Sequence, residues 1–443
     1  MFYACCPFVK ACSMKRAVYE NYLAILRQEL VPALGCTEPI SIAFACAKAR
    51  EVLGCFPKRM EIYCSGNIIK NVKSVTVPNS GGLRGIEAAG ILGAMAAAPE
   101  RELEVLEALK PEHLSQAHKL LQGSFCQCFL KEGVDNLYLE ARLFHGGQSA
   151  EVTIFNRHTM ITRIVKNGAV IYEYTPSTQG EDQDAPNKEV LNVHDILEFA
   201  NTLNLEDVRA LFRRQVEMNC AIAEEGLAHS YGAQIGSTIL HVYGNNVISR
   251  ARALSAAGSD ARMSGCSLPV VINSGSGNQG ITVTLPVVEF AKELGASEDT
   301  LFRALAVSNL ISIYQKKYIG NLSAYCGAVS AACGAGAGIT YLYGGDYDAI
   351  GRTIVNTIVN VGGILCDGAK PSCAAKIASS VEAAIMAHYL GHEKRVFLPG
   401  EGLVGEDLDE TIKSIGYIGR VGMKNTDSEI LKIMSHEIDI NAL

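Results

Sequence analysis

Four cysteines in the C-terminal part of the chain lie among very small residues, and this pattern constrains the fold more than any other feature. Cys326 and Cys333 lie in Tyr-Cys-Gly-Ala-Val-Ser-Ala-Ala-Cys-Gly, and Cys366 and Cys373 in Leu-Cys-Asp-Gly-Ala-Lys-Pro-Ser-Cys. Glycine, alanine and serine allow a close approach of the backbone, either to another helix or to a bulky inorganic group. Thiolates are ligands of iron–sulfur clusters and of zinc. The chain therefore has to fold around crowded helices and, on one interpretation, around a metal centre.

The spacing of these cysteines helps to decide whether they are metal ligands or small buried side chains. Cys326 and Cys333 are seven residues apart, which is two helical turns and places both on one face of a helix. Cys366 and Cys373 are also seven apart, but a glycine and a proline between them predict a loop. Neither pair has the Cys-x-x-Cys spacing of ferredoxins or zinc ribbons, and a cysteine is often only a small buried hydrophobe. The loop favours Cys366 and Cys373 as ligands, whereas Cys333 is expected to pack inside a helix.

Length and composition limit the classes of protein to consider. A chain of 443 residues exceeds what one hydrophobic core usually supports, so two domains are expected. Only 19% of the residues are charged, against roughly 25% in an average domain. We therefore expect part of the surface to be buried between subunits, in a homodimer or larger assembly. The net charge of -7 and the lack of a basic patch argue against a nucleic-acid partner.

No segment predicts export or a membrane span. Residues 1–13 contain three cysteines and one lysine but no apolar core with a cleavage site, so they are expected to be an extension ahead of Met14. Fifteen cysteines are too sparse for a disulfide scaffold, which indicates reduced thiols and a cytoplasmic location. Residues 322–343 are long and mostly uncharged, but glycine, alanine and serine insert weakly into lipid. They predict a closely packed internal helix.

The hydrophobic periodicity predicts an α+β fold in two parts. Residues 14–190 are expected to form an α+β domain with a small, mostly antiparallel sheet, and N-terminal helices able to pack on the second domain. Residues 191–443 are expected to form a larger, all-helical domain. A polar stretch, Thr175 to Lys188, is the predicted linker.

Individual elements follow from local signals. A helical pattern from Arg16 to Leu53 is interrupted before Pro39, with Thr37 as the expected N-cap of its second half. Short strands are predicted at 60–64 and 72–77, and a meander of about four strands at 137–174.

Two polar, glycine-rich loops are candidate binding segments. Asn273-Ser-Gly-Ser-Gly-Asn-Gln-Gly follows an apolar run and offers backbone N–H groups and side chains suited to a carboxylate or phosphate. An ordinary tight connection is the alternative. The residues predicted to bind substrate there are Ser274, Gly275, Ser276, Gly277 and Asn278. A second loop offers Asn79 and Arg84, although a plain turn is favoured for it.

The same segments carry a resemblance to a known family. The motifs Gly35-Cys-Thr-Glu-Pro39, Asn273 to Gly280, Tyr325-Cys-Gly327 and Cys366 to Cys373 resemble those of the iron–sulfur L-cysteine desulfidases. These enzymes are relatives of the α chain of bacterial L-serine dehydratase. In the serine dehydratases, one cysteine on a small-residue helix and two in a later loop hold a 4Fe–4S cluster. The resemblance implies Cys326, Cys366 and Cys373 as the corresponding ligands, and the shorter Cys-Asp-Gly loop favours the desulfidase branch.

The resemblance also implies a reaction. L-cysteine, a small amino acid, would lose sulfide by α,β-elimination and give pyruvate and ammonia, with iron acting as the Lewis acid on the leaving group. Three residues are candidates for proton transfer: Cys36, Glu38 and Lys370. Cys36 is expected to have a lowered pKa because it lies at a helix N-terminus. His145, His158 and His229 are weaker candidates because a lone histidine is more often structural.

Other functions stay open at this point. L-serine dehydratase on the same scaffold would perform the same type of reaction with hydroxide as the leaving group. A lyase that uses pyridoxal phosphate would need a lysine in a suitable context, which the sequence does not offer. A non-enzymatic iron–sulfur or zinc sensor would not need the polar glycine loops.

Overall fold

The computed structural model describes residues 14–175 and 186–438, so the stretch 1–13 and most of the predicted linker lie outside the described residues. The α-helices of the described ranges are α1 Arg16–Glu29, α2 Thr37–Leu53, α3 Gly66–Val72, α4 Gly85–Ala96, α5 Pro111–Leu121, α6 Val193–Thr202, α7 Arg209–Ala228, α8 Ile235–Tyr243, α9 Val247–Met263, α10 Gly277–Leu294, α11 Glu298–Ile319, α12 Gly327–Leu342, α13 Tyr347–Val361, α14 Cys373–His392, α15 Leu408–Tyr417 and α16 Lys424–Met434. The strands are β1 Pro32–Leu34, β2 Arg59–Cys64, β3 Cys126–Leu130, β4 Tyr138–His145, β5 Gln148–Phe155, β6 Ile161–Lys166, β7 Ala169–Glu173 and β8 Pro269–Val271. Short 3₁₀ segments lie at Pro99–Ala108, Lys188–Val190 and Leu205–Asp207, and a π-helical turn at Ile418–Gly422.

The main sheet has six strands in the order β3-β2-β4-β5-β6-β7, with β2 and β3 parallel and all other neighbours antiparallel. Alternate residues of β5 are buried, as period-2 side-chain alternation requires of a sheet with one covered face. In β4, Leu139, Ala141 and Leu143 follow the same pattern, and Glu140 is buried as well. The covered face packs against α2. The predicted α+β class and the four-stranded meander are therefore confirmed, and β3 is an element that the sequence did not reveal.

Two local predictions at the N-terminal side were wrong. The predicted strand at 72–77 is instead the end of α3 and a turn, because Ser65 caps that helix by accepting a hydrogen bond from the backbone N–H of Ile68. Val72, Val75 and Val77 are buried without forming a strand. The N-cap of α2 is Cys36 rather than Thr37.

Helix α12 lies at the centre of the C-terminal half, packed by α10, α11, α13 and α14. The close packing of α12 against α11 requires glycine at position 334, because a Cβ atom there would lie 2.3 Å from the carbonyl oxygen of Ser308. Cys333 is fully buried in this packing, as predicted. Within residues 14–175 and 186–438, we find no helix with the combined length and hydropathy of a membrane span.

Two hydrophobic cores hold the molecule together. The first lies between the sheet, α2 and α4, and it extends to buried residues of α7, α9 and α10. The second surrounds α10 to α15 and also includes α1, through Tyr22 and Leu26. The N-terminal helix thus packs with the C-terminal half, and the two cores meet along α10. The candidate site lies at this junction.

Candidate functional site

The N-termini of four helices converge on one cavity of about 100 Å³. The helices are α2, α10, α12 and α14, which contribute Glu38, Ser276, Cys326 and Cys373 to the lining. Each helix has 16 to 20 residues, and the positive end of its dipole favours negative charge nearby. The cavity holds several times the space that one water molecule needs. Its construction therefore suits a small anionic ligand and ionised thiols.

Backbone pairing brings Cys326 and Cys366 side by side. The backbone N–H of Cys326 donates to Ile364 O at 3.1 Å, and that of Cys366 donates to Ala324 O at 2.7 Å. These bonds surround an isolated antiparallel bridge between the residues that precede the two cysteines. Cys373, the first residue of α14, lines the same cavity; its Sγ donates to Gly368 O at 3.5 Å and accepts from the Lys370 N–H at 3.4 Å. The three cysteines predicted as ligands therefore share one cavity.

The electrostatics of this group favour one thiolate. A hydrogen bond from Cys326 lowers the pKa of the Cys366 thiol to about 6, against burial that acts to raise it, and the Lys70 ammonium lowers it further. Cys326 keeps its proton because its pKa is raised by this pairing and by burial. Burial, followed by the charge of Cys366, raises the pKa of Cys373 to about 11.

The donor set fits an iron–sulfur cluster better than a single zinc ion. Within the described residues, the group with three donor atoms inside 4.8 Å of one another is His194, Asp195 and Glu198 at the surface, and the three cysteine sulfurs form no such group. Each cysteine that ligates a cluster binds a different iron, so a cluster, unlike a zinc ion, does not need all three sulfurs within reach of one metal.

The other wall of the cavity carries buried polar atoms for which the described residues 14–175 and 186–438 provide no hydrogen-bond partner. Such atoms are rare in folded proteins, because an unpaired buried polar group costs about 1–3 kcal/mol. Their concentration at one cavity indicates that a polar ligand satisfies them. These atoms are His158 Nε2, Asn71 Oδ1, Arg262 Nε, Asn278 Oδ1, Gln279 Oε1 and the Tyr325 hydroxyl.

His158 and Glu38 form a buried acid–base pair in this wall. His158 Nε2 lies 3.9 Å from Glu38 Oε1, which is an ion-pair distance but too long for a hydrogen bond. Burial acts to raise the pKa of the Glu38 carboxyl, but His158 and the amide of Asn71, which donates to Glu38 at 2.9 Å, lower it overall. The imidazole packs against Gly275, where a Cβ atom would lie 3.0 Å from His158 Cε1. An ionised carboxylate therefore faces a histidine at the cavity wall.

Arg262 places a positive charge at the cavity wall. It lies in the last turn of α9, is 3% exposed, and its guanidinium covers the first residue of α10: a Cβ at Gly277 would lie 2.3 Å from Arg262 Nε. A guanidinium beside a helix N-terminus is a site for a carboxylate. Four residues of the predicted binding loop, Ser274, Gly275, Ser276 and Asn278, line this cavity, and Gly277 lies under Arg262. Substrate binding by this loop stays a prediction.

The remaining predicted proton-transfer residues do not line the cavity. Cys36 is buried, its Sγ contacts Met263 Sδ at 3.8 Å, and burial raises the pKa of its thiol to about 12. The expected lowering of this pKa was wrong because desolvation outweighs the helix N-terminus. The ammonium of Lys370 donates to the carbonyl oxygens of Lys70 at 3.2 Å and Lys73 at 2.7 Å, and burial lowers its pKa.

The second glycine loop also lies away from the site. Asn79 donates to the carbonyl of Leu106 at 3.3 Å, and Arg84 is exposed. His145 contacts the carbonyl oxygen of Phe56 at 2.8 Å, and His229 pairs with Glu225 at the surface. The structure thus gathers one of the two loops and one of the three histidines.

Comparison with known proteins identifies the family. Residues 100–432 match the family model for the serine dehydratase alpha chain, so the chain belongs to this family. It is also 52% identical to a UPF0597 protein of Lachnoclostridium phytofermentans over 94% of this chain and 100% of that protein. A UPF0597 protein of Desulfitobacterium hafniense is 48% identical over 95% of this chain and 97% of the relative. The membership predicted from the motifs is confirmed.

Proposed function

We propose that the protein is an iron–sulfur-dependent lyase that eliminates sulfide from L-cysteine and releases pyruvate and ammonia. One observation carries this proposal: three cysteines, a carboxylate–histidine pair and a buried arginine line the same small cavity. A sensor would need the cysteines alone. The membership of the serine dehydratase alpha-chain family supports a lyase.

The cysteines that would hold the cluster are Cys326, Cys366 and Cys373. Held by these three thiolates, a 4Fe–4S cluster would supply a Lewis acid for the leaving group. The fit rests on the chemistry of the donors and on the unpaired polar atoms around them.

The residues of the chain would perform the other tasks. Arg262 and the N-terminus of α10 bind the substrate carboxylate, which fixes the orientation of the α-carbon in the cavity. In the same wall, His158 Nε2 accepts the α-proton, and the ionised Glu38 stabilises the imidazolium that forms. Glu38 therefore assists the base instead of being the base.

L-serine dehydration is the second candidate because one further residue favours it. Lys316 lines the cavity, and burial lowers the pKa of its ammonium to about 8, while Cys366 and Cys326 act to raise it. A proton donor of this kind would assist hydroxide, which is a poor leaving group. A thiolate leaves without such help and is a softer ligand suited to iron, so we rank L-cysteine first.

The deciding experiment compares the two amino acids on anaerobically reconstituted protein. We expect pyruvate and sulfide from L-cysteine with a higher kcat/KM than pyruvate from L-serine. D-cysteine is the control because, with its carboxylate bound at Arg262, its α-proton points away from His158. Faster turnover of L-serine would establish the dehydratase alternative, and an iron-replete protein without turnover of either substrate would contradict the lyase.

Replacement of Arg262 by methionine tests the carboxylate site. KM for L-cysteine should rise roughly 10–100-fold with a smaller change in kcat, since a hydrogen bond to a charged group contributes about 1.5–3 kcal/mol. The matched control is Arg252→Met, which removes a buried arginine of the same helix that pairs with Glu382 outside the cavity. An Arg262→Met variant with an unchanged KM would exclude this role.

A further inference from the structure

A buried ion pair outside the cavity contacts both cysteine-bearing segments. Lys70 of α3 is 1% exposed, and its Nζ lies 2.5 Å from Asp427 Oδ1 of α16. The same Nζ donates to the carbonyl oxygen of Cys366 at 3.2 Å. The other carboxylate oxygen, Oδ2, accepts the backbone N–H of Ala324 at 3.0 Å, two residues before Cys326. One ion pair therefore binds the backbone of both segments.

The contact between α3 and the second cysteine segment is reciprocal. While Lys70 donates to Cys366 O, the ammonium of Lys370 donates to the carbonyl oxygens at the end of α3. The backbones approach closely, because a Cβ atom at Gly368 would lie 2.7 Å from Lys70 O. Loop residues 366–370 are thus held at both ends against one short helix.

Stability of the fold does not by itself account for such a pair. Desolvation of two charges is costly, and an apolar pair of similar volume is often as stable or more stable. What an apolar pair cannot do is donate to Cys366 O and accept from the Ala324 N–H. The specific effect of the hydrogen bonds made by Lys70 and Asp427 is therefore to fix the position of Cys326 relative to Cys366.

We infer that Lys70 and Asp427 are positioning residues, whose hydrogen bonds hold Cys326 and Cys366 at the spacing that the cluster needs, and that this pair is required for cluster retention and not for folding. The inference rests on the proposed function, since that function supplies the cluster. It adds a role for two residues that do not touch the cavity.

The test uses the full chain with both residues replaced, Lys70→Met together with Asp427→Leu, so that no unpaired charge is left buried. After anaerobic reconstitution, a ferrous chelator is added and the decay of visible absorption and of iron per chain is followed. We expect cluster loss roughly 10–100-fold faster than in wild type, the range typical of partners that orient metal ligands. Thermal unfolding of the cluster-free protein should stay close to that of wild type.

Two controls test whether the hydrogen bonds of the pair, its charge, or the loss of any ion pair causes the loss of the cluster. Lys70→Gln with Asp427→Asn keeps a donor toward Cys366 O and an acceptor for the Ala324 N–H, so its cluster should persist nearly as long as in wild type. Arg250→Met with Glu289→Leu removes another ion pair, at 3.1 Å, outside the cavity lining and should leave cluster loss unchanged.

Each contrary outcome has one meaning. An apolar pair that retains iron as long as wild type overturns the inference, and so does one that fails to fold without the cluster. A Gln/Asn pair that loses iron as fast as the Met/Leu pair overturns the role of the hydrogen bonds. Wild type that binds no iron overturns the proposed function itself.

Discussion

Replacement of Cys366 by alanine is expected to abolish the broad visible absorption of anaerobically reconstituted protein, which in wild type should carry about four irons and four sulfides per chain. The reason is that Cys366 is the thiol with the lowered pKa and is paired with Cys326. Cys326→Ala and Cys373→Ala should have the same effect, measured by iron and sulfide analysis.

Two other buried cysteines serve as matched controls. Cys333→Ala should keep full cluster content, because its Sγ lies in the interior of the helix packing, where it donates to Ile354 O of α13 at 3.9 Å, outside the cavity lining. Cys36→Ser should also keep it, since Cys36 lies beside Met263 and outside the cavity lining. Full cluster content in Cys373→Ala would exclude the three-cysteine assignment, and loss of iron in Cys36→Ser would make Cys36 a ligand.

Replacement of His158 by asparagine should lower kcat for L-cysteine by roughly 10²–10⁴-fold, the usual contribution of a positioned general base. KM and iron content should change little, because the His158 ring packs beside Glu38 and Gly275 and not against Arg262 or the cluster cysteines. Single-turnover kinetics with α-deuterated L-cysteine would measure the proton transfer directly.

His145→Asn is the control for this variant, since His145 is held by the Phe56 carbonyl away from the cavity. Glu38→Gln should cause a smaller loss of kcat because it removes only the charge that stabilises the imidazolium. A wild-type kcat in the His158→Asn enzyme would show that another residue is the base. Lys316 would then be the next residue to replace.

The sequence predicted the parts of the site that carry local patterns. The small residues around Cys326, and the glycine and proline between Cys366 and Cys373, indicated a helix and a loop, and both occur. The loop at Asn273 was recognised from its own composition. The meander was also predictable because period-2 alternation is a local signal.

The rest of the site is non-local, and the sequence did not indicate how it is assembled. Arg262 lies in a helix without any motif around it, and His158, only a weak candidate as a lone histidine, lies in a turn between two strands. Only tertiary packing brings them to the N-terminus of α10. The same packing gives different positions to segments of similar composition. The loop with Arg84 resembles the Asn273 loop in its polar, glycine-rich sequence, but Arg84 is exposed and lies outside the cavity lining. Lys370 is adjacent to the cysteines, yet its ammonium points to α3.

The order of synthesis on the ribosome gives the ion pair of α3 and α16 another consequence. Lys70 is synthesised first, Cys326 and Cys366 follow, and Asp427 is the last of the four. Because N-terminal regions begin to fold while the rest is still being made, the first core can form long before the Ala324 N–H finds its acceptor. For the proposed cluster, we therefore expect insertion only after Asp427 has been synthesised. A chain truncated before α16 would have all three cysteines but would lack the carboxylate that accepts the Ala324 N–H.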